Sequence, residues 1–226
     1  MTGLRELAKK TELLVLDFDG AFYQFSDAFE QHCCDVAAKS ALKIIPSLTP
    51  EEALKLTTES YELYGTSLRL LRERYSIDIE DWHDIYHQEL DHRFIETSQV
   101  TTKHLKDCPV PFIILSHASR FWILQMIKKF ELDEVIQPEQ IYALEDINYS
   151  YKMTDEMAYR FVLERLNVAP SRSIMVEDSP KNLTPAKTLG MTTVYVTQGK
   201  SFEKSRYPQV DHAVENLPEF FAAFNS

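Results

Sequence analysis

The chain has 226 residues, with 24 Lys and Arg against 35 Asp and Glu, so its formal net charge is −11; 44% of it is hydrophobic and 26% charged. This is the composition of a folded domain with a substantial core, not of a disordered or fibrous chain. The acidity excludes nucleic acid polymers and anionic membrane surfaces as main partners, because the long-range field repels both.

No run reaches the roughly 18 apolar residues of a membrane span. The opening MTGLRELAKK lacks the apolar core of a signal peptide. Cys33, Cys34 and Cys108 are odd in number, and the first two are adjacent, which suits reduced thiols. The expectation is therefore a cytoplasmic protein, monomer or homodimer.

In chain order, the first predicted element is Leu13–Leu16, an apolar run ending at Asp17. Its length and composition fit a strand covered on both faces of a parallel sheet. The 96 residues between Asp19 and Ser116 then exceed any ordinary βα crossover and read as helical. Phe29, Cys33, Val36 and Ala37 form a helical stripe after a Ser26 cap, with Cys33 and Cys34 read as helix-core residues. Thr49-Pro50-Glu51-Glu52 combines a capping box with proline at the first helical position. Further helices are predicted over 67–75 and 79–90.

Apolar runs resume at 111–115 (PFIIL), 141–144 (IYAL), 173–176 (SIMV) and Thr192–Val196 (TTVYV). Between them, Ile123, Ile127 and Phe130 share one helical face. A second helix is predicted after Thr154, with Asp155 and Glu156 at its start and Met157, Ala158, Phe161 and Val162 on one face. Gly190 follows a helix end. Alternation of this kind predicts a doubly wound α/β fold with a parallel sheet. The predicted division is a core of residues 1–22 and 101–226 and an all-helical insertion of residues 23–100.

Ligands of such sheets bind outside the carboxyl ends of the strands. There the sequence places Asp17 and Asp19, then Ser116 and His117, then Glu177 and Asp178, with Lys152 in the turn before the Thr154 helix. Neither GxxxxGK[ST] nor GxGxxG occurs among the five glycines. Acidic residues after strands often serve only as helix caps. Four of them converging on one sheet edge need a cation, and hard oxygen ligands of this kind suit Mg²⁺, which commonly takes substrate phosphate as a further ligand.

This ordered set resembles the haloacid dehalogenase superfamily, through LLVLDFDGAFY, FIILSHAS, Lys152 and IMVEDSPKNLTPAKTLGM. The last stretch is the most specific, with Asn182, Ala186, Gly190 and Met191 at matching positions. A helical insertion directly after the first motif is the arrangement of the subgroup with a helical cap. The stretch Tyr64-Gly65-Thr66-Ser67-Leu68-Arg69-Leu70-Leu71 looks like one found in pyrimidine 5′-nucleotidases.

The resemblance implies Asp17 as nucleophile toward phosphorus, giving an aspartyl-phosphate, and Asp19 as general acid and base. Ser116 would bind a phosphoryl oxygen, and Lys152 would pair with Asp17 and the phosphate. Mg²⁺ would be held by Asp17, the Asp19 carbonyl and Asp178, with Glu177 helping. Gly20 and His117, and Tyr64 and Arg69 from the insertion, would line the substrate site. Dehalogenases of the superfamily lack an acid at the Asp19 position, so Asp19 favours phosphoryl transfer. Ala21, Gly20, His117 and Met153 depart from the commonest residues beside the motifs.

The implied function is Mg²⁺-dependent hydrolysis of a small-molecule phosphate ester, with a nucleoside 5′-monophosphate leading. The alternatives are a sugar-phosphate phosphatase or phosphoglucomutase and, from another class, a non-catalytic phospholigand-binding protein. Competing signals are the HExxH-like His83-Asp84-Ile85-Tyr86-His87 with Asp91, read more readily as a polar helix face than as a zinc site, and Arg72, Phe22 and Tyr23 as further pocket candidates.

Overall fold

The computed structural model describes residues 2–226. In chain order the elements are α1 (Thr2–Ala8), β1 (Leu13–Leu16), α2 (Asp27–Ile44), α3 (Pro50–Tyr64), α4 (Arg69–Tyr75), α5 (Ile79–Glu89), α6 (Thr102–Lys106), β2 (Phe112–Leu115), α7 (Arg120–Lys129), β3 (Ile141–Tyr142), α8 (Met157–Leu166), β4 (Ser173–Glu177), α9 (Leu183–Leu189), β5 (Thr192–Val196), β6 (His212–Val214) and α10 (Leu217–Phe224). The six strands form one sheet in the order β3-β2-β1-β4-β5-β6. Every pairing in it is parallel, with Leu14 opposite Phe112 on one side and Ile174 on the other.

The apolar runs become strands because β1, β2, β3 and β4 are buried at every position, so no alternating polar face is needed. Beyond β1 the connections build outward through β2 and β3, and the chain then returns to the other side of β1 to add β4, β5 and β6. The strand order therefore reverses between β1 and β4, and their carboxyl ends open the crevice where ligands of doubly wound sheets bind.

The chain forms two compact units, one taking in the chain up to Gln24 and from Thr97 to Ser226, the other Phe25–Glu96. Within the inserted unit, α2 packs against α3 and α5. Three of its helix starts are set by side-chain caps: Ser26 Oγ accepts from the Phe29 N–H, Thr49 and Glu52 form a reciprocal capping box, and Asp78 accepts from the Glu80 and Asp81 N–H groups.

Three sequence expectations need correction. The helix expected after Thr154 begins at Met157, because Asp155 accepts from the Met157 N–H and the Ser150 hydroxyl in the preceding turn. Its core face is Ala158, Tyr159, Val162 and Leu163, while Met157 and Phe161 are exposed. The Tyr159 hydroxyl donates to the Asn182 carbonyl at 2.6 Å, which turns that ring inward. β3 stops at Tyr142 because the next two N–H groups leave the ladder, Ala143 donating to Asp146 and Leu144 to the Ala118 carbonyl. Cys33 and Cys34 are half-buried rather than helix core; the buried face of α2 is Phe29, Val36, Ala37, Ser40 and Ala41.

Candidate active site

β1 delivers Asp17 to the crevice, where its N–H is fixed by the Val176 carbonyl at 2.9 Å. The chain then turns tightly, with Ala21 and Phe22 both donating to the Phe18 carbonyl. Gly20 sits in that turn at φ +84°, and a Cβ there would overlap the Asp178 carboxylate. Backbone conformation and close approach both demand glycine, so the turn after β1 and the acid after β4 are packed together. The Gly20 carbonyl accepts from Gln198 at 2.6 Å, which ties the turn to the chain beyond β5.

Lys152 reaches this crevice from the loop after β3. Its ammonium lies 2.5 Å from Asp17 Oδ1, 2.7 Å from Glu177 Oε2 and 3.2 Å from the Leu115 carbonyl, with the side chain 1% exposed. His117, at the end of β2, accepts the Lys152 backbone N–H on Nε2 at 2.7 Å and fixes that loop. Ser116 Oγ donates to Asp19 Oδ2 at 3.0 Å and accepts from the Ala118 N–H. Asp19 Oδ1 in turn accepts from the Tyr23 hydroxyl and from the Trp122 indole at 2.9 Å. Asp17, Glu177, Asp178, Asp19, Lys152, Ser116, His117 and Gly20 thus all belong to one crevice of the α/β unit.

The charges do not balance. Four carboxylates face one ammonium, and burying unpaired charge is costly. Burial, then the Glu177 carboxylate, pushes Asp17 up despite Lys152. Asp178 is pushed well up by burial and by Glu177 and Asp17, and Asp19 is raised by burial against its three donors. Burial opposes the Lys152 charge, but Asp17 and Glu177 outweigh it and hold the ammonium protonated. Oxygens of Asp17, Glu177 and Asp178 lie within 4.8 Å of one another, as ligands of one cation would. An all-carboxylate donor set with surplus negative charge fits a hard divalent cation.

Of the other sequence candidates, Phe22 and Tyr23 are fully buried in the α/β unit, and Tyr64, Arg69, Arg72, His83, His87 and Asp91 lie in the inserted unit. Tyr64 ends α3, Arg69 opens α4, and the left-handed Gly65 (φ +70°) turns the chain between them. The Arg69 guanidinium lies 4.2 Å from the centre of the Tyr64 ring and its Nε donates to Glu73. His83 and His87 stack with Nδ1 atoms 3.0 Å apart. Asp91 does not extend them into a helical triad, because α5 ends at Glu89 and Asp91 bonds Arg93. Among the described residues, the single set of three or more potential metal ligands is Asp17, Glu177 and Asp178.

Sequence reasoning missed Trp122 and Gln198. A tryptophan in the first turn of the helix after β2 was the available signal for the first, since a buried indole N–H needs an acceptor. Gln198 carries no comparable mark.

Among solved structures, the fold is similar to a haloacid dehalogenase-type hydrolase of family IA, variant 3, from Entamoeba histolytica, with TM-score 0.63, 19% identity and coverage of 96% of this chain and 100% of that one. It is similar also to a phosphatase of the same type from Thermococcus onnurineus (TM-score 0.59, 17% identity, 92% and 95% covered). An L-2-haloacid dehalogenase is a third similar structure (TM-score 0.62, 14% identity, 96% and 99% covered). No curated protein matches the chain. These likenesses establish the fold. The model of the haloacid dehalogenase-like hydrolases matches residues 14–196, from β1 through β5 and so across every element of the crevice, and the chain belongs to that family.

Proposed function

We propose that this hydrolase cleaves phosphate monoesters by way of an aspartyl-phosphate on Asp17, with Mg²⁺ as cofactor and a nucleoside 5′-monophosphate as the leading substrate class. The observation that carries the reading is Asp19, a carboxylate two residues past the nucleophile that lies in the same crevice and is hydrogen-bonded to Ser116. Loss of halide needs no proton, whereas an alkoxide leaving group does. Asp19 therefore favours phosphoryl transfer over dehalogenation, which would use the same Asp17.

Asp17 supplies the attacking oxygen, aligned by its backbone bond to β4 and by Lys152. Lys152 stays protonated and offsets charge that builds on the phosphoryl oxygens. Ser116 offers its hydroxyl to one of those oxygens. Asp19 gives a proton to the leaving oxygen and then takes one from the hydrolytic water. A divalent cation held by Asp17, Asp178 and the Asp19 carbonyl, with Glu177 assisting, would neutralise the carboxylates and attract the dianionic ester. We assign the inserted helical unit the role of a cap, with Tyr64 and Arg69 as candidates for contact with the substrate's base or sugar.

The test is phosphate release from a panel of nucleotides, sugar phosphates and 4-nitrophenyl phosphate. Activity is expected with Mg²⁺, lost with EDTA, and lowered at least about a thousandfold in Asp17→Asn. A panel without phosphate release, accompanied by halide release from 2-haloacids, would overturn the reading.

A further inference from the structure

Three side-chain donors converge on Asp19, and they divide between its two oxygens. Oδ1 accepts from the Trp122 indole and the Tyr23 hydroxyl, and Oδ2 accepts from Ser116. The two donors on Oδ1 are rigidly held. Trp122 is 1% exposed on the first turn of α7, where its own N–H bonds the Ser119 cap. Tyr23 is fully buried, edge-on to Phe18 and against Phe130. The indole also lies 3.2 Å from the Tyr23 oxygen, so the pair forms one buried clamp.

Ser116 differs in kind. A hydroxyl has one proton to give. While Ser116 donates to Oδ2 it cannot donate to a phosphoryl oxygen, so a bound ester that takes this proton releases Oδ2 and leaves Oδ1 clamped.

Resting on the phosphatase reading and deepening it, we propose that Trp122 and Tyr23 are positioning residues that anchor Asp19 by Oδ1, so that Oδ2 carries the proton to the leaving group. In the first step an Asp17 oxygen bonds phosphorus, the bond from phosphorus to the ester oxygen breaks, and the Oδ2 proton passes to that oxygen to release the alcohol. In the second step water bonds phosphorus, the electrons of the Asp17–phosphorus bond return to the Asp17 carboxylate, and a water proton restores Oδ2–H.

The proposal is tested by leaving-group dependence. 4-Nitrophenyl phosphate and benzyl phosphate are similar in size, but the first releases a stable anion and the second an alkoxide that needs the proton. Trp122→Phe and Tyr23→Phe each remove one donor and keep most of the ring. For both variants, kcat/KM for benzyl phosphate is expected to fall at least about tenfold further than kcat/KM for 4-nitrophenyl phosphate. Equal losses on the two esters, or none, in a wild-type-like fold would overturn the proposal, and Tyr23→Phe alone decides it if Trp122→Phe does not fold.

A second readout needs no turnover. The chain has two tryptophans, and the Trp122 indole N–H resonance is expected to move in Asp19→Asn while that of Trp82 stays. An unmoved Trp122 resonance would overturn the clamp. A wild type that hydrolyses neither ester in Mg²⁺ would instead remove the phosphatase reading, and this proposal with it.

Discussion

In the α/β unit, Asp17, Glu177 and Lys152 lock together with side chains no more than 6% exposed, whereas in the inserted unit Lys43–Glu89 pairs across α2 and α5 with both side chains about half exposed. The residue types are the same and the energetics are opposite. Solvated pairs gain little over water, while charges withdrawn from solvent are sustained only by one another. The inserted unit also withdraws titratable groups from solvent, His87 buried and His83 half-buried, but desolvation holds both below their ordinary range and therefore neutral at pH 7. One unit concentrates buried charge where the strand order reverses, and the other keeps its interior uncharged. That contrast marks the chemical site more sharply than the count of acidic residues does.

The strongest way to break the contrast is Lys152→Met. With the ammonium of this cluster gone, Asp17 and Glu177 face each other unpaired, and urea denaturation without metal should show a loss of about 3–5 kcal/mol. Added Mg²⁺ should recover part of it. A loss below about 1 kcal/mol would put this cluster in the same class as the surface pairs.

Next in size is the histidine pair. Burial lowers His83 from its ordinary 6.5 to about 4, so the unfolded chain binds a proton at a pH where the folded chain does not. The stability contributed by the neutral form is complete above pH 6.5 and is lost as pH falls toward 4, by on the order of 3 kcal/mol at the limit. Denaturation curves at pH 7 and pH 5 should show this slope, and His83→Gln should reduce it to the share that His87 contributes. The smallest effect is expected for Lys43→Ala, under about 1 kcal/mol by the same denaturation measurement, because its partner Glu89 is equally well solvated.

Much of this was legible in the sequence where the signal was local. Leu13–Leu16 stands out because a wholly apolar run admits few other readings, Thr192–Val196 because it is a short β-branched and aromatic run, and Thr49 with Glu52 announces a helix start through its own chemistry. β6 was not read, because His212-Ala213-Val214 is a three-residue edge strand with one buried position and no apolar run. The face of α8 was half read: Ala158 and Val162 are buried as expected, but the exposed Met157 and Phe161 mimic a core stripe, and the buried Tyr159 is anchored by a bond to Asn182.

At the site, the acidic residues and Lys152 could be listed from their order along the chain. Their pairing, Lys152 with Glu177 as well as Asp17, is a matter of tertiary geometry. The Trp122 indole meets Asp19 from 103 residues away, and no periodicity records that contact.

The central claim is a covalent phosphoryl group on Asp17, and rapid acid quenching tests it most directly. Wild-type protein mixed with 4-nitrophenyl phosphate and Mg²⁺, quenched during turnover and digested, should yield a phosphorylated peptide with the modification on Asp17, and Asp17→Asn should yield none. Phosphate release from the wild type with Asp17 unmodified at every quench time, or undiminished release from Asp17→Asn, would contradict it.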